Sequence, residues 1–459
     1  MATLHRGGAF YADSKTVLRL GPKGQETKDR NDMTNRFRLV IIGGGVAGLA
    51  LATRLGNTLG RSGKLEITLV DKGFSHVWKP MLHCFAAGTA RNENDRITFV
   101  SHAAAHGFRF CYGEVAQLDR ANRRITLAPL MEENNQLLLE ERHLDYDAVV
   151  FAIGSRANDF GTPGVVEHCM FLDNVVEANN FNERFRHAII QAYGRGTPVD
   201  IAIVGGGATG VQLAAELHKA LDIGALYNFT PVTPEMRVTL LEAGPRILPA
   251  FPQAVSDAAQ KQLEALKIDV RTNTMVSGAD QTGFILKDGS RVNAQFRVWA
   301  AGVKAPDVTR DMDGLEYQRG GQLTVQTNLQ STVDDHIFAL GDCSFVKDAP
   351  VAPTAQVARQ QAHHLARYLP GYIFNNKPVP DFRFRNRGAI VALGDYNGWG
   401  AFADGKTFGG GFLNGLSARL GHMALYRQHQ FELYGPFRGA IACFTDWLAG
   451  FVRPPVRMD

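Results

Sequence analysis

The sequence predicts an α/β chain with two Rossmann-like dinucleotide-binding domains. Three observations predict it. RLVIIGGGVAGLALATRL places Gly43, Gly45 and Gly48 in G-x-G-x-x-G spacing. DIAIVGGGATGVQLAAEL repeats the pattern at Gly205, Gly207 and Gly210. Each glycine run follows a short β-branched, apolar stretch and opens a helical pattern. One such loop binds one dinucleotide. Two of them about 160 residues apart suggest a flavin held permanently and a nicotinamide that comes and goes.

The context of each loop carries the reading, because a lone glycine motif is weak in a chain with 48 glycines. Arg38 to Ile42 reads as a buried parallel strand. The first glycine permits a tight turn, the second lets backbone approach a pyrophosphate, and the third lets helix and strand pack closely. The helix starting near Val46 aims its positive N-terminal end at the phosphates. The next strand, Glu66 to Val70, ends in Asp71, 23 residues after Gly48. A carboxylate there accepts hydrogen bonds from ribose hydroxyls. In the second copy Ile201 to Val204 is the strand, Ala208 to Leu217 the helix, and Val238 to Leu241 the next strand, ending in Glu242. The 32 residues from Gly210 to Glu242 exceed the usual spacing, and the excess, His218 to Arg237, reads as a surface insertion. A carboxylate at 242 welcomes a 2′-hydroxyl and repels a 2′-phosphate, so NADH is favoured over NADPH. Arg246 is close enough to soften that preference.

Length and composition set limits. A chain of 459 residues holds two or three domains. Its five cysteines form no C-x-x-C and no metal-ligand cluster in sequence, which argues for a reducing compartment and against a disulfide scaffold or zinc site. No secretory signal and no transmembrane run of 18 uncharged apolar residues is present. From Arg383 to the end there are nine Lys and Arg against five Asp and Glu, which accounts for the whole net charge of +4. A basic tail suits nucleic acid or an anionic membrane. The apolar pattern of that tail decides for membrane.

Along the chain, residues 1–35 are expected to be a disordered extension, with Met33 a natural start. Residues 36–164 form the first nucleotide domain and end in the strand Tyr146 to Ile153 with Gly154 after it. Residues 165–305 form the second, with a hairpin at Lys287-Asp288-Gly289-Ser290 and a closing strand, FRVWAAG, that ends in Gly302. The ends AIGS and WAAG are similar, and each crosses to the next domain. Residues 306–379 return to the first domain through HIFALGDCSF. Residues 380–459 form a separate C-terminal module.

In that module Pro436 to Val452 reads as a helix. Phe437, Ala440, Ile441, Phe444, Trp447, Leu448 and Phe451 share one side, opposite Arg438, Thr445 and Asp446. Such a helix reaches about 24 Å, too short for a bilayer core of about 30 Å, but suited to lying in the interface with Arg438, Arg453 and Arg457 near anionic headgroups. Leu416 to Tyr434 is a second apolar candidate. The competing reading buries the stripe in a homodimer interface or on the flavin domain. Deleting residues after about 380 is therefore expected to leave a yellow, NADH-reducible core.

The arrangement resembles the two-dinucleotide-binding flavoproteins, and within them the type II NADH dehydrogenases, the single-subunit NADH:quinone oxidoreductases. The two fingerprints carry the resemblance, with SHVWKPMLH (Ser75 to His83), TPGV (Thr162 to Val165), LLEAGPRILPA (Leu240 to Ala250), VWAAGVKAP (Val298 to Pro306), LGDCS (Leu340 to Ser344) and PTAQVARQQA, which matches A-Q-x-x-x-Q at Ala355, Gln356 and Gln360. It covers the chain from about Arg36 onward. The resemblance implies FAD on Gly43, Gly45, Gly48 and Asp71, with Lys72, Gly154, Gly341, Asp342 and Ala355 nearby; Asp342 would hold the ribityl-phosphate region at a helix N-terminus. It implies NADH on Gly205, Gly207, Gly210, Glu242 and Gly302. Gln356 and Gln360, four apart on one helix face, would line the quinone site; the competing reading is a solvated amide face. The implied reaction passes a hydride from NADH to flavin N5 and two electrons to ubiquinone or menaquinone, without proton pumping, at the cytoplasmic face of the inner membrane.

Two positions depart from the family pattern. Gln212 stands where the family usually has Glu, so a proton carrier there is in doubt, although Glu216 one turn on is acidic. Cys84 stands where relatives often have Glu, and is either an inert packed thiol or a redox-sensitive group near the flavin. Other readings are weaker. A disulfide reductase needs a close cysteine pair. A sulfide:quinone oxidoreductase needs cysteines on both sides of the flavin, for which Cys169 and Cys343 are the candidates. A ferredoxin-type reductase has no use for the basic amphipathic tail. A non-catalytic NADH-sensing flavoprotein is the reading from outside enzymology.

Overall fold

The computed structural model describes residues 36–90, 96–132, 134–226, 235–394, 396–401, 407–409 and 412–452. The expected extension at 1–35 and the loop containing Pro231 and Pro234 lie outside the described residues.

Two parallel sheets organise the chain, and they are built alike. In the first, Phe37–Ile42 lies between Leu65–Asp71 and Ala148–Phe151, with Arg109–Tyr112 and Ile337–Ala339 at the two edges. In the second, Val199–Val204 lies between Met236–Leu241 and Phe296–Trp299, with Asp269–Arg271 beyond. Both central strands are apolar on both faces because both faces are covered. In the second sheet Ile201 and Ile203 join helix residues such as Leu213 and Leu217, while Ala202 and Val204 join Phe284, Leu286 and Val292 of antiparallel strands. The first core likewise takes in Leu118, Ile125 and Leu127 of antiparallel strands. Leu39, Ile41, Ile201 and Ile203 are accordingly buried.

The C-terminal edges of the sheets match bond for bond. Gly43 N donates to Val70 O at 2.7 Å and Gly205 N to Leu241 O at 2.8 Å. Ala152 N donates to Ile42 O at 2.7 Å and Ala300 N to Val204 O at 2.8 Å. The helices Val46–Leu55 and Ala208–Leu226 start where the glycine loops predict. The second runs nine residues past the expected Leu217, so the first part of the expected surface insertion is helix. The predicted hairpin forms between Gly283–Leu286 and Arg291–Asn293, closed by Leu286 N to Ser290 O at 2.9 Å. The two crossing segments after AIG and WAAG pair with each other, Arg156–Ala157 against Val303–Lys304, antiparallel.

The C-terminal residues do not stand apart, contrary to the sequence expectation. The antiparallel strands Ala389–Leu393, Asn397–Ala401 and Thr407–Gly409 bury Val391, Leu393, Trp399 and Ala401 in the same core as Leu213 and Leu217. The helical stretch Phe412–Val452 breaks at Gly435, with φ 77° and ψ 171°, just before Pro436. Pro436 cannot donate to the preceding turn, and Gly435 supplies the left-handed φ that re-aims the chain. The first arm seats Leu433 in the core of the first domain. The second arm turns its apolar side outward: Phe437 is 78%, Phe444 58% and Trp447 58% exposed. Its inner side is Gly439, which is buried, and Asp446, which Arg427 of the first arm engages. Among the described residues, no helix is long and apolar enough to cross a membrane.

Candidate functional site

The glycines of each loop divide their tasks by position. Gly43 and Gly205 adopt φ of 101° and 112°, a region closed to side chains. A Cβ on Gly48 would lie 1.9 Å from Gly43 O, and one on Gly210 2.1 Å from Gly205 O, so the third glycine lets helix and strand meet. The second glycine is different. A Cβ on Gly207 would meet nothing within 4 Å, and one on Gly45 only Ala152 O at 3.9 Å. Both loops thus leave open space beside bare backbone at a helix N-terminus, which is what a pyrophosphate needs.

Both strand-end acids sit in the same seat. Asp71 accepts from Gly44 N at 2.6 Å and Gly73 N at 2.7 Å. Glu242 accepts from Gly206 N at 2.7 Å and Gly244 N at 2.6 Å. Burial raises the Asp71 carboxyl, and the two N–H bonds oppose it. The Arg246 guanidinium is committed elsewhere, donating to Phe251 O at 2.8 Å and Pro249 O at 2.9 Å. Lys72 points out to Glu114 at 2.8 Å and leaves the Asp71 seat.

The return segment meets the loop after Gly154 through Asp342. Gly341 to Cys343 form a single 3-10 turn rather than a helix start. Asp342 is therefore not a helix N-cap. Ser155 Oγ, in the loop after Gly154, donates to Asp342 Oδ2 at 2.7 Å, and Gly341 N donates to Gln361 Oε1 at 2.7 Å. Lys79 Nζ reaches Ser155 O at 2.6 Å. Gly302 follows the Phe296–Trp299 strand and packs against Phe160 and Asn158.

Ala355 opens the helix Ala355–Asn375, capped by Thr354, whose Oγ1 accepts from Val357 N at 3.2 Å. The two glutamines on it are half-buried and both are hydrogen-bonded. Gln356 donates to Gly388 O at 2.9 Å and accepts from Arg387 N at 2.8 Å. Gln360 donates to Arg385 O at 2.9 Å and accepts from Arg385 N at 3.0 Å. Spaced one helical turn apart, they fasten residues 385–388 onto the helix. Gln212 and Glu216 are both buried; Thr89 Oγ1 donates to Glu216 at 2.6 Å.

Other groups at the site escaped the sequence reading. His76 Nδ1 lies 2.9 Å from Gly44 O, and its Nε2 lies 2.8 Å from His429 Nε2 on the C-terminal helix. Burial pushes His76 down to about 4 and His429, with His76 beside it, to about 3. Three residues away, Glu432 is nearly enclosed and receives Arg54, Arg359 and His363. Burial raises its carboxyl, but the bonds and charges of His363 and Arg359 win and bring it to about 2. His76 lies in the SHVWKPMLH segment, but His429 and Glu432 carry no motif; only tertiary packing brings them together with His76, Arg54, Arg359 and His363.

A model of the pyridine nucleotide-disulphide oxidoreductases matches residues 37–362. A type II NADH:quinone oxidoreductase of Haemophilus influenzae is 36% identical over 447 residues, covering 92% of this chain and 99% of that protein. The chain belongs to the type II NADH:quinone oxidoreductase family. A Staphylococcus aureus protein of the same name is 27% identical, covering 80% of this chain and 90% of its own. A solved NDH2 structure from Plasmodium falciparum shares the fold at TM-score 0.77 and 18% identity, over 92% of this chain and all of that one. A sulfide:quinone oxidoreductase from Aquifex aeolicus shares it at TM-score 0.68 and 19% identity, covering 86% of this chain and 91% of that one.

Family membership makes the chain an NADH:quinone oxidoreductase that uses flavin and NADH, as the two cradles imply. Of the two cysteines named for the sulfide alternative, Cys343 is buried and Cys169 half-buried. Burial holds both Cys169 and Cys343 up at about 12, so neither is a thiolate at neutral pH.

Proposed function

We propose that the first cradle, Gly43, Gly45, Gly48 and Asp71, holds FAD, and that the second, Gly205, Gly207, Gly210 and Glu242, holds NADH. The observation that carries this is the shared geometry: in each loop the second glycine borders open space while the first and third are closed by backbone. Asp342 and Gly341 take the flavin's ribityl side, with Ser155 holding the Asp342 carboxylate in place. Ala355 supplies the helix N-terminus beside it. Gly302 closes the nicotinamide side. When bound, the flavin supplies the two-electron chemistry that links reduced nicotinamide to quinone.

The chain's own residues then do the positioning. Asp71 and Glu242 keep their glycine N–H partners and offer their remaining lone pairs to ribose hydroxyls. Glu242 repels a 2′-phosphate, and Arg246 does not offset it, because its donors are spent on Pro249 and Phe251. Gln356 and Gln360 shape the quinone site by fixing residues 385–388 beside the helix that starts at Ala355. Gln212 offers a carboxamide and no titrating proton; Glu216 is the buried acid one turn on. The quinone is ubiquinone or menaquinone, collected from the membrane by the outward face of the second C-terminal arm, Phe437, Ile441, Phe444, Trp447 and Leu448. That face sits at the cytoplasmic surface of the inner membrane.

The test is anaerobic. The purified protein should release FAD on denaturation. NADH should bleach its absorbance near 450 nm, and a soluble quinone should restore it. A colourless protein, or one bleached by NADH yet blind to quinone, overturns the assignment.

A further inference from the structure

The helices Leu82–Ala87 and Ala208–Leu226 pack against each other through Leu82, Phe85, Ala86, Leu213 and Leu217. At that contact His83, Cys84 and Glu216 bring one imidazole nitrogen, one sulfur and one carboxylate oxygen within 4.8 Å of one another. His83 and Glu216 are buried and Cys84 is half-buried. No sequence motif joins them: two are adjacent and the third is 132 residues on. Among the described residues it is the single grouping of this kind.

We propose that His83, Cys84 and Glu216 form a binding site for a thiophilic divalent cation, zinc(II) in the first instance. Thiolate, imidazole and carboxylate with a fourth position left to water is a zinc donor set. Sulfur turns away magnesium and calcium, which require oxygen. Bonds of about 2.0–2.3 Å place tetrahedral ligand atoms about 3.3–3.8 Å apart. The three atoms must therefore draw in by about an ångström, which side-chain rotation supplies. Binding releases the Cys84 proton to solvent and uses neutral His83.

Two neighbours bear on the affinity. Thr89 donates to Glu216 Oε2 at 2.6 Å and orients the carboxylate as an outer partner should. Lys219 Nζ stands 3.8 Å from the same oxygen, and its positive charge opposes a cation. Its side chain is 18% exposed, so the ammonium has solvent to turn into. A bound cation then ties the SHVWKPMLH segment to the helix that follows the second cradle.

The experiment uses the reduced, flavin-loaded full chain. Equilibrium dialysis should give one zinc per chain. Cobalt(II) should give a thiolate-to-metal band in the near-ultraviolet difference spectrum, which zinc removes. Cys84→Ser should abolish the band and weaken zinc at least about tenfold. Glu216→Gln should weaken it similarly, Lys219→Ala should tighten it, and Cys111→Ser should change nothing. If Cys84→Ser does not fold, zinc should still slow alkylation of Cys84 in the unaltered protein, read by peptide mass spectrometry. Unchanged zinc affinity and an unchanged band in Cys84→Ser and Glu216→Gln overturn the proposal, as does unprotected alkylation of Cys84.

Discussion

The side chain of Gln360 closes a two-point bond on the backbone of Arg385, donating to its carbonyl at 2.9 Å and accepting from its N–H at 3.0 Å. The amide therefore acts as a backbone mimic that holds an irregular segment to a helix. Gln360→Ala leaves both groups of Arg385 to solvent, at a net cost of about 0.5–1.5 kcal/mol per bond. The expected outcome is a KM for quinone raised about tenfold, with the anaerobic rate of NADH bleaching unchanged. Stopped-flow bleaching and a steady-state quinone titration measure the two separately. Equal slowing of both half-reactions would show that Gln360 serves the whole fold instead.

Glu242→Gln removes the charge and leaves one carbonyl oxygen, so it keeps the acceptor for one of the N–H groups of Gly206 and Gly244 and loses the other. Repulsion of a 2′-phosphate then falls, and one of the two seating bonds remains. The ratio of kcat/KM for NADH over NADPH should narrow by about tenfold, the order expected of one charged contact. An unchanged ratio removes Glu242 from the ribose site. The double variant with Arg246→Ala should match the single one, since Arg246 faces away.

Truncation distinguishes the two C-terminal arms. A chain ending at Tyr434 keeps Glu432 with its three partners and keeps Leu433 in the core. It loses the exposed stripe from Phe437 to Leu448. It should stay yellow and NADH-reducible but fail to sediment with anionic vesicles. A chain ending near 380 also loses Val391, Leu393, Trp399, Ala401 and Leu433 from the cores. At about 1.5–3 kcal/mol per large apolar side chain, that loss rivals the whole stability of a domain, about 5–15 kcal/mol. It should aggregate. Vesicle binding retained by the shorter 1–434 chain would place the membrane contact elsewhere.

The repeated fold was legible because its signals are local. Strand, glycine turn, helix and terminal acid fall within 35 residues from Phe37 to Asp71 and within 44 from Val199 to Glu242. The hairpin at Asp288 and the break at Gly435-Pro436 are equally local. The rest depends on distant packing. Gln356 and Gln360 share a helix face, as their spacing implies, but that the face meets residues 385–388 is a tertiary fact. The amphipathic stripe marked an apolar side without saying which way it points. The 380–459 stretch read as separate because its buried residues alternate in short strands, whose partners belong to the second domain.

The paired imidazoles of His76 and His429 make a pH prediction. Both are held neutral by burial, at about 4 and about 3 against an ordinary 6.5, and His102 is likewise pushed to about 3. In the unfolded chain each takes a proton near pH 6.5, while the folded chain declines it. A depressed pKa gives stability that is present above 6.5 and lost as pH falls toward the folded value. Each histidine removes up to about 1.4 kcal/mol per pH unit in that window. Glu432 acts in a separate window, between its ordinary 4.5 and about 2, so it is silent above pH 4.5. The melting temperature should therefore fall from pH 7 to pH 5 on account of the histidines alone among these groups. His429→Gln, which keeps a hydrogen-bonding side chain without the titration, should lower stability at pH 7 yet flatten that slope. A melting temperature level between pH 7 and 5, or a slope unaltered by His429→Gln, would show the pair to be hydrated and protonated near its ordinary pKa.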